Sequence, residues 1–300
     1  MKILLTGASG FLGKIIYNKL VEQNKEVITL SRTGAMINID LSKAIPNLEN
    51  VDLVVHSAGK AHFVPKTEAE KQVFFDVNVK GTENLLLGLS NLSILPNSFI
   101  FISSVAVYGC ESGTLIDENH TLNANDPYGR SKIEAERIVE EWCKKNNVIC
   151  VILRLPLLVG VNPPGNLGSM IKGIEKGYYF NIGGGKARKS MVLTEDVADF
   201  IPKVATVGGT YNLTDGAHPD FFQLSNVLSK QKNKHKPFNL PMGIAKIMGL
   251  AGDLFGSKSL INSSKLKKIT TDLTFDDSKA RREQEWKPKT ILDYLKENNL

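Results

Sequence analysis

The sequence predicts an α/β protein with a doubly wound parallel sheet, because short apolar runs alternate with amphipathic helical segments along its first half. Apolar runs at residues 2–6, 26–30 and 51–58 predict buried strands, and residues 11–22 have the apolar spacing of a helix. Strand, helix and strand in this order form a βαβ unit, in which the two strands run parallel. Repetition of that unit places helices on both faces of the sheet.

The alternation continues to residue 156, where the composition changes. Residues 98–109 and 148–156 predict two further strands, and residues 68–91 and 127–146 predict long helices. The stretch after Pro156 is rich in Gly, Pro and Asn, which is typical of loops. We therefore predict a second, smaller α/β domain in the C-terminal part of the chain.

The composition is that of an ordinary globular protein, with 42% hydrophobic and 23% charged residues. The three cysteines, Cys110, Cys143 and Cys150, are few and form no C-x-x-C pair, so we expect neither a disulfide framework nor a metal site. The N-terminal apolar run is too short for a signal peptide, and no run reaches about 20 apolar residues. These observations predict a cytoplasmic protein without a membrane-spanning segment.

The net charge of +6 comes partly from two basic clusters, at residues 230–236 and 265–268. Such clusters can bind nucleic acid or attract an anionic diphosphate. A solvated surface is the preferred interpretation, so we expect no nucleic-acid partner. The segment 241–255 between the clusters is apolar on most faces, which fits a membrane surface or a partner but favours a helix packed in the smaller domain.

Three glycines directly follow the first predicted strand and open the first predicted helix. Gly7, Gly10 and Gly13 form the pattern G-x-x-G-x-x-G. In this position one glycine permits a tight turn, another lets the backbone approach a pyrophosphate, and the third lets helix and strand pack closely. The pyrophosphate then lies against unpaired N–H groups at the positive end of the helix dipole. The pattern therefore predicts a dinucleotide site.

The dinucleotide site gives each predicted domain a role. Residues 1–156, together with about 187–214, would form the dinucleotide-binding Rossmann domain. Residues of about 157–186, together with 215–300, would form the substrate-binding domain.

The end of the second predicted strand bears on the choice between NAD and NADP. An acidic residue there would hydrogen-bond the ribose 2′-hydroxyl, whereas this sequence has Ser31 and Arg32. An arginine can bind a 2′-phosphate, so the cofactor is NADP or NAD with NADP slightly favoured; a solvent-facing arginine is the alternative. Asp40 and Leu41 end the next short run, and Asp40 could accept a hydrogen bond from the adenine or cap a following helix.

Tyr128 and Lys132 are four residues apart in a predicted helix, which places both side chains on one face. A free phenol has a pKa of about 10 and is a poor base at neutral pH, but a nearby ammonium lowers that pKa. The pair is therefore a plausible general acid/base for a carbinol. Ser103 and Ser104 lie at the carboxyl end of a predicted strand, where open sheets bind ligands. Ser104 could hydrogen-bond the oxygen that Tyr128 protonates.

Together these segments resemble the extended short-chain dehydrogenases/reductases, in the epimerase/dehydratase branch that modifies nucleotide sugars. The matching segments, in the family's order, are TGASGFLG (6–13), DL (40–41), HSAG (56–59), NVKGTENLL (78–86), SSVAVYG (103–109), PYGRSK (127–132) and LRLP (153–156). Two later matches are RKSMVLTEDVA (188–198) and FDDSKARREQEWKPKT (275–290). The loop after residue 162 resembles that of bacterial polysaccharide-sugar enzymes more than that of galactose epimerases.

The resemblance implies a role for each matching position. Ser104, Tyr128 and Lys132 would form the catalytic triad, with Tyr128 as the acid/base and Lys132 also holding the nicotinamide ribose. Ser104 would contact the substrate, and Asn166 and Arg188 are the candidates for binding the diphosphate of a nucleotide sugar. The cofactor contacts that the matching segments add are Phe11, Leu12, Ala58, Gly59, Asn78, Ser103 and Pro156.

The resemblance also implies hydride transfer at a sugar carbinol carbon, with C4 the expected position, in polysaccharide or O-antigen sugar biosynthesis. An epimerase that keeps its cofactor and a 4-ketoreductase that releases it share this site. A dehydratase needs acidic residues directly after the catalytic serine, whereas Val105 and Ala106 follow Ser104. Lys60 and His62 could touch the substrate or be ordinary surface residues.

Two alternatives to this function stay open. One is an NADP-dependent reductase of a non-sugar carbonyl, and the other is a catalytically degenerate dinucleotide-binding sensor. Whichever function is correct, the helices at 68–91 and 127–146 could form the four-helix interface of a homodimer, as in similar proteins.

Overall fold

The computed structural model describes residues 1–61, 63–254, 262–298 and 300. Its strands are β1 (Lys2–Thr6), β2 (Glu26–Ser31), β3 (Ile37–Asn38), β4 (Leu53–His56), β5 (Ser98–Ser104), β6 (Gly113–Ile116), β7 (Ile149–Leu155), β8 (Leu157–Val159), β9 (Phe180–Ile182), β10 (Met191–Leu193), β11 (Gly209–Asn212), β12 (Phe238–Leu240) and β13 (Leu273–Phe275). Seven of them form one sheet in the order β11-β7-β5-β4-β1-β2-β3, with every neighbouring pair parallel. The predicted parallel sheet is confirmed.

The helices are α1 (Phe11–Glu22), α2 (Glu68–Phe75), α3 (Gly81–Ser90), α4 (Pro127–Asn146), α5 (Gly165–Glu175), α6 (Thr194–Val204), α7 (Phe221–Gln231), α8 (Met242–Asp253), α9 (Ser263–Thr270), α10 (Ser278–Gln284) and α11 (Ile291–Glu297). Among the residues that the structure describes, no helix is both long enough and apolar enough to cross a bilayer. The segment predicted at 241–255 is helical as α8, and its last predicted residue lies outside the described part of the chain.

Helices cover both faces of the sheet. Successive side chains of a strand point to opposite faces, so each strand contributes to two apolar layers. In β1, Ile3 and Leu5 pack in one apolar layer with side chains of α1 and α6. Leu4 packs in the other layer, with side chains of α3 and α4. Burial on both faces explains why the strands are uninterrupted apolar runs in the sequence.

A third apolar cluster lies beside the sheet and joins α5, α7 and α11. Its buried side chains from these helices include Leu167, Ile171, Leu224 and Leu295. Three further sheets are two-stranded and pair β6 with β13, β8 with β10 and β9 with β12. The division of the chain into two domains stays a prediction.

The long helix predicted at 68–91 is a continuous helical run that contains a π-helical turn at Asp76–Lys80, which we call the π-turn. Here the amide of Gly81 donates to the carbonyl of Asp76, five residues earlier instead of four. Asn78 and Val79 in the π-turn are buried. π-helical turns frequently occur at functional sites, because the extra residue lets the helix reposition a side chain.

Candidate active site

The strand order reverses between β1 and β4, and two adjoining cavities lie in the crevice near the carboxyl ends of these strands. Open α/β sheets bind ligands at such a reversal. The first, which we call the glycine-loop cavity, measures about 320 Å³ and is lined by Gly7 and Arg32 among others. The second, the triad cavity, measures about 520 Å³ and is lined by Tyr128 among others. Both contact Gly10 and residues 57–60, so they form one cleft.

The glycines at the start of α1 are required because backbone segments approach closely. Gly7 has a φ of 72°, and a Cβ there would lie 2.6 Å from the backbone nitrogen of Ala58. A Cβ on Gly13 would lie 2.1 Å from the carbonyl oxygen of Gly7. A side chain at either position would therefore push β1, α1 and the loop after β4 apart.

The residues of this cleft fit a dinucleotide. The N-cap of α1 is Gly10, no side chain caps the helix, and no acidic residue lies in its first turn, so N–H groups and the positive dipole end are available to a pyrophosphate. All predicted cofactor contacts line one cavity or the other: Gly7, Gly10, Phe11, Leu12, Gly13, Ser31, Arg32, Asp40, Leu41, Ala58, Gly59, Asn78, Ser103, Tyr128, Lys132 and Pro156.

The outer end of the glycine-loop cavity carries the residues expected near the ribose. Arg32 is exposed there. Asp40 accepts hydrogen bonds from the amide and the hydroxyl of Ser42, at 3.1 and 2.7 Å, so it caps a turn. The alternative that Asp40 caps a following helix is wrong, because residues 41–43 form only that turn. Hydrogen bonding by Ser42 holds the pKa of the Asp40 carboxyl below its usual value, and the charge of Arg32 adds to this.

A strand end and a helix start bring the predicted triad into the triad cavity. Ser104 is the last residue of β5, while Tyr128 and Lys132 lie in the first two turns of α4. The helix begins here because Asp126 is its N-cap, with a carboxylate that accepts a first-turn amide, and Pro127 follows at the first helical position. The side chains that the motif spacing predicted to act together therefore share one cavity.

Burial, more than charge, controls protonation in the triad cavity. Burial raises the pKa of the Tyr128 phenol, and the Ser104 hydroxyl lowers it by less. The lowering expected from Lys132 is not observed: burial dominates the pKa of Tyr128. The Lys132 ammonium donates to the carbonyl of Ile102 at 2.6 Å and lies 4.0 Å from the centre of the Phe101 ring. Burial lowers the pKa of Lys132 to about 7. The phenol is therefore protonated at neutral pH.

Asn78 connects the loop after β4 to the catalytic helix. Its Oδ1 accepts from the amide of Lys60 at 2.7 Å, and its Nδ2 donates to the carbonyl of Lys60 at 3.2 Å and to the hydroxyl of Ser131 at 2.9 Å. The Ser131 hydroxyl in turn donates to the carbonyl of Tyr128 at 2.7 Å. The π-turn thus places one amide side chain where it fixes both walls of the triad cavity.

A directed chain of hydrogen bonds crosses the bottom of the cleft through His56. The amide of Ala58 donates to the hydroxyl of Thr6, which lies 2.6 Å from Nδ1 of His56. On the other side Nε2 lies 3.0 Å from the hydroxyl of Thr82, which donates to the carbonyl of Asn78. Nε2 must therefore carry the proton and Nδ1 must accept one. Burial lowers the pKa of His56 to about 3, so the ring stays neutral and the chain keeps its direction.

Glu136 lies one turn after Lys132 on α4, in a buried network that the motifs did not reveal. Its carboxylate accepts a hydrogen bond from the Ser103 hydroxyl and a forked pair from Arg154, with 2.8 Å between Nη2 and Oε2 and 3.2 Å between Nε and Oε1. Arg154 also donates to the hydroxyl of Tyr108 at 3.1 Å. The negative charge of Glu136 raises the pKa of Lys132 against the larger effect of burial. The four-residue spacing of Lys132 and Glu136 indicates that both lie on one face of α4, but it does not indicate the partner Arg154.

The predicted substrate contacts are spread more widely than the triad. Lys60 lines both cavities. Asn166 is exposed at the start of α5 and Arg188 donates to two backbone carbonyls, and neither residue lines either cavity. Their role in substrate binding stays a prediction, and His62 lies outside the described residues.

A sequence model of a family described as the NAD dependent epimerase/dehydratase family matches residues 3–214, which include the glycine loop and the triad. The chain belongs to this family. It is accordingly an NAD(P)-dependent enzyme of the extended short-chain dehydrogenase/reductase type, as the resemblance implied.

Relatives of this epimerase/dehydratase cover nearly its whole length. It is 28% identical to N-acetyl-alpha-D-glucosaminyl-diphospho-ditrans,octacis-undecaprenol 4-epimerase of Escherichia coli O157:H7, over 93% of this chain and 88% of the relative. It is 28% identical to UDP-glucose 4-epimerase of Vibrio cholerae, over 97% of this chain and 92% of the relative. The structure of MoeE5 in complex with UDP-glucose and NAD superposes with a TM-score of 0.78 at 18% identity, over 99% of this chain and 96% of that one, and shares the fold.

Proposed function

We propose that this family member transfers a hydride at the C4 carbinol of a nucleotide-diphosphate sugar, either as an epimerase or as a 4-ketoreductase. The observation that carries the proposal is that Ser104, Tyr128 and Lys132 line one cavity that continues into the glycine-loop cavity. A sugar carbinol placed between these side chains and a dinucleotide would have an acid/base and a hydrogen-bond partner at its oxygen and a redox partner at its carbon. We also propose that the enzyme works in the cytoplasm, in the synthesis of polysaccharide sugars.

The triad supplies the proton chemistry of this reaction. A bound nicotinamide would donate or accept the hydride at the sugar carbon. When a ketone is reduced, the phenol of Tyr128 gives its proton to the carbonyl oxygen, and in the reverse direction the phenolate takes the hydroxyl proton. The Ser104 hydroxyl, which lines the same cavity, would orient that oxygen by hydrogen bonding. Lys132, which lines the same cavity, would hold the ribose of a bound dinucleotide.

The lining of the triad cavity favours epimerisation or reduction over dehydration. Loss of water from a sugar needs a carboxyl group that removes one proton and a second group that protonates the leaving hydroxyl. The described residues that line the triad cavity include no aspartate and no glutamate. Val105 and Ala106, which follow Ser104, form the start of a short 3-10 helix and carry no acid.

The substrate class is supported by the relatives and by the residues outside the cleft. Both 4-epimerases reported above are named for a sugar that is carried on a diphosphate. In this chain we propose that Asn166 and Arg188 contact such a diphosphate. We propose further that two copies pair through α2, α3 and α4 in a four-helix interface.

Isotope transfer tests the proposal. The purified enzyme is incubated with UDP-glucose or UDP-N-acetylglucosamine carrying deuterium at C4, and in parallel with 4-keto nucleotide sugars and deuterated NADPH. An epimerase returns the label to C4 of the epimer, whereas a ketoreductase transfers the label from NADPH to C4; either result supports hydride transfer at this carbon. Reduction of simple ketones without turnover of any nucleotide sugar would contradict the proposal, and so would binding of NAD(P) without any turnover.

The choice of cofactor is tested by Arg32→Asp. We propose that NADP is favoured over NAD, because Arg32 lies exposed where the 2′-phosphate is expected and no carboxylate occupies the end of β2. A charge-assisted hydrogen bond is worth about 1.5–3 kcal/mol, so the variant should bind NADPH about 10- to 100-fold more weakly. NADH affinity should change much less. Fluorescence titration measures both, with Arg282→Asp on α10 as a control that changes the same charge outside the cleft. Equal weakening of both cofactors would contradict the assignment.

A further inference from the structure

Helix α8 packs with its small residues inward and its large apolar residues outward. Ala245, Gly249 and Gly252 are buried against the protein. The exposed side chains are Ile244, Ile247, Met248, Leu250 and, just after the helix, Leu254. At about 100° per residue they occupy one continuous arc of about 160°. Ile247 is 69% exposed and Leu254 is 87% exposed, so the arc is a surface of the described structure and not part of its core.

The orientation of α8 is fixed by its neighbours. The preceding strand β12 pairs with β9, and the side chain of Met242 packs against Gly183. At the other end the carboxylate of Asp253 accepts from the amide and the hydroxyl of Ser263, at 2.9 and 2.6 Å. Leu266 of α9 lies against the inner face at Gly249. The apolar arc is therefore held outward by the fold.

The chain around α8 is strongly basic. Residues 230–268 contain nine lysines and one aspartate, a net charge of +8, whereas the whole chain carries +6 and the remainder therefore −2. Lys246 lies on α8 itself, Lys267 on α9, and Lys234 and Lys236 just before β12; all four are exposed. An apolar strip flanked by lysines is complementary to a surface that is anionic outside and apolar beneath.

We propose that α8 docks on the surface of a bilayer that contains anionic phospholipids, with its apolar arc among the acyl chains and the lysines at the headgroups. The helix is about 18 Å long and so lies in the interface without crossing it. Each lysine near an anionic leaflet adds about 1 kcal/mol of attraction. A nucleic acid would match the charge but leave the aliphatic arc in water, and a second copy of the chain would bring two +8 regions together. This inference does not depend on the proposed reaction.

Vesicle flotation with the full chain tests the docking surface. Wild-type protein is mixed with vesicles of phosphatidylcholine alone, or of phosphatidylcholine with about 30% phosphatidylglycerol, at about 0.1 M salt, where surface charges are only partly screened. We expect flotation with the anionic vesicles, little with the neutral ones, and release as the salt concentration rises. Ile247→Glu should lower the bound fraction about tenfold, because it places a charge in the centre of the apolar arc. Lys267→Glu should weaken binding mainly at low salt.

Ile94→Glu is the matched control, because Ile94 is 67% exposed but lies in the loop before β5. It should float like the wild type, and the thermal midpoints of all variants should agree since each site is exposed. Equal flotation of Ile247→Glu and the wild type would overturn the proposal. Failure of the wild type to float with either vesicle would also overturn it. In that case light scattering would show whether α8 instead forms a dimer that Ile247→Glu dissociates, and a binding assay would show whether the protein binds single-stranded RNA.

Discussion

Tyr128→Phe is expected to lower kcat by about 10²- to 10⁴-fold, the usual contribution of a positioned general acid or base. Phenylalanine keeps the ring, which lies 6.1 Å from the ring of Phe74 between centroids, so the walls of the triad cavity should not move. Only the phenol hydroxyl and its proton are lost. Because burial raises the pKa of the phenol and keeps it protonated, we expect the loss at neutral pH in the direction that needs a proton donor.

The readout must separate chemistry from binding and folding. Cofactor affinity and the thermal midpoint should match those of the wild type, and single-turnover hydride transfer should show the whole loss. Tyr178→Phe is the control, because Tyr178 is exposed and lies outside both cavities. Turnover of Tyr128→Phe at the wild-type rate would contradict the assignment of Tyr128 as the acid/base.

Glu136→Gln is expected to lower the free energy of unfolding by about 3–5 kcal/mol, the typical cost of leaving one member of a buried ion pair without its partner. The side chains of Arg154 and Glu136 are 7% and 3% exposed, and their forked pair is therefore shielded from water. Glutamine has the same shape as glutamate but lacks the negative charge that faces the guanidinium of Arg154. The loss should appear as a lower denaturant midpoint with an unchanged dependence on denaturant concentration.

Two comparisons make this result specific. Glu141→Gln on the same helix breaks an exposed pair with Arg137 and should cost less than about 0.5 kcal/mol. Adding Arg154→Met to Glu136→Gln removes the unpaired charge and should restore part of the stability. If Glu136→Gln is no more destabilising than Glu141→Gln, the buried pair does not stabilise the fold as argued. The variant also removes a charge that raises the pKa of Lys132, so this lysine should lose its proton at lower pH.

Local patterns in the sequence predicted the parts of this site that lie close together in the chain. The spacing of Gly7, Gly10 and Gly13 after a strand located the glycine-loop cavity, because only glycine permits the close approach of Gly7 to Ala58. The four-residue step from Tyr128 to Lys132 placed both side chains in the triad cavity. These predictions depend on one turn or one helix, whose geometry is nearly the same in every protein.

Features that depend on distant partners could not be predicted in this way. The helix spacing puts Glu136 on the face of Lys132, but its partner Arg154 is on β7, and only the packing of α4 against that strand brings them together. The direction of the pKa shift of Tyr128 depends on how deeply the phenol is buried, which no local pattern records. For α8 the sequence left a packed helix, which it favoured, and a membrane or partner surface as alternatives; only the packing of its small residues shows which face is outward.

The π-turn changes which way the second half of its helical run faces. An α-helix advances by about 100° per residue, so an additional residue in one turn rotates everything after it relative to everything before it. Before the π-turn, Phe74 faces the Tyr128 ring; after it, Leu85 and Leu89 face the sheet. The helical run is therefore unbroken, but its two halves are rotated relative to each other about the helix axis. The π-turn, and not a side chain, sets the rotation between the half that packs against Tyr128 and the half that packs against the sheet.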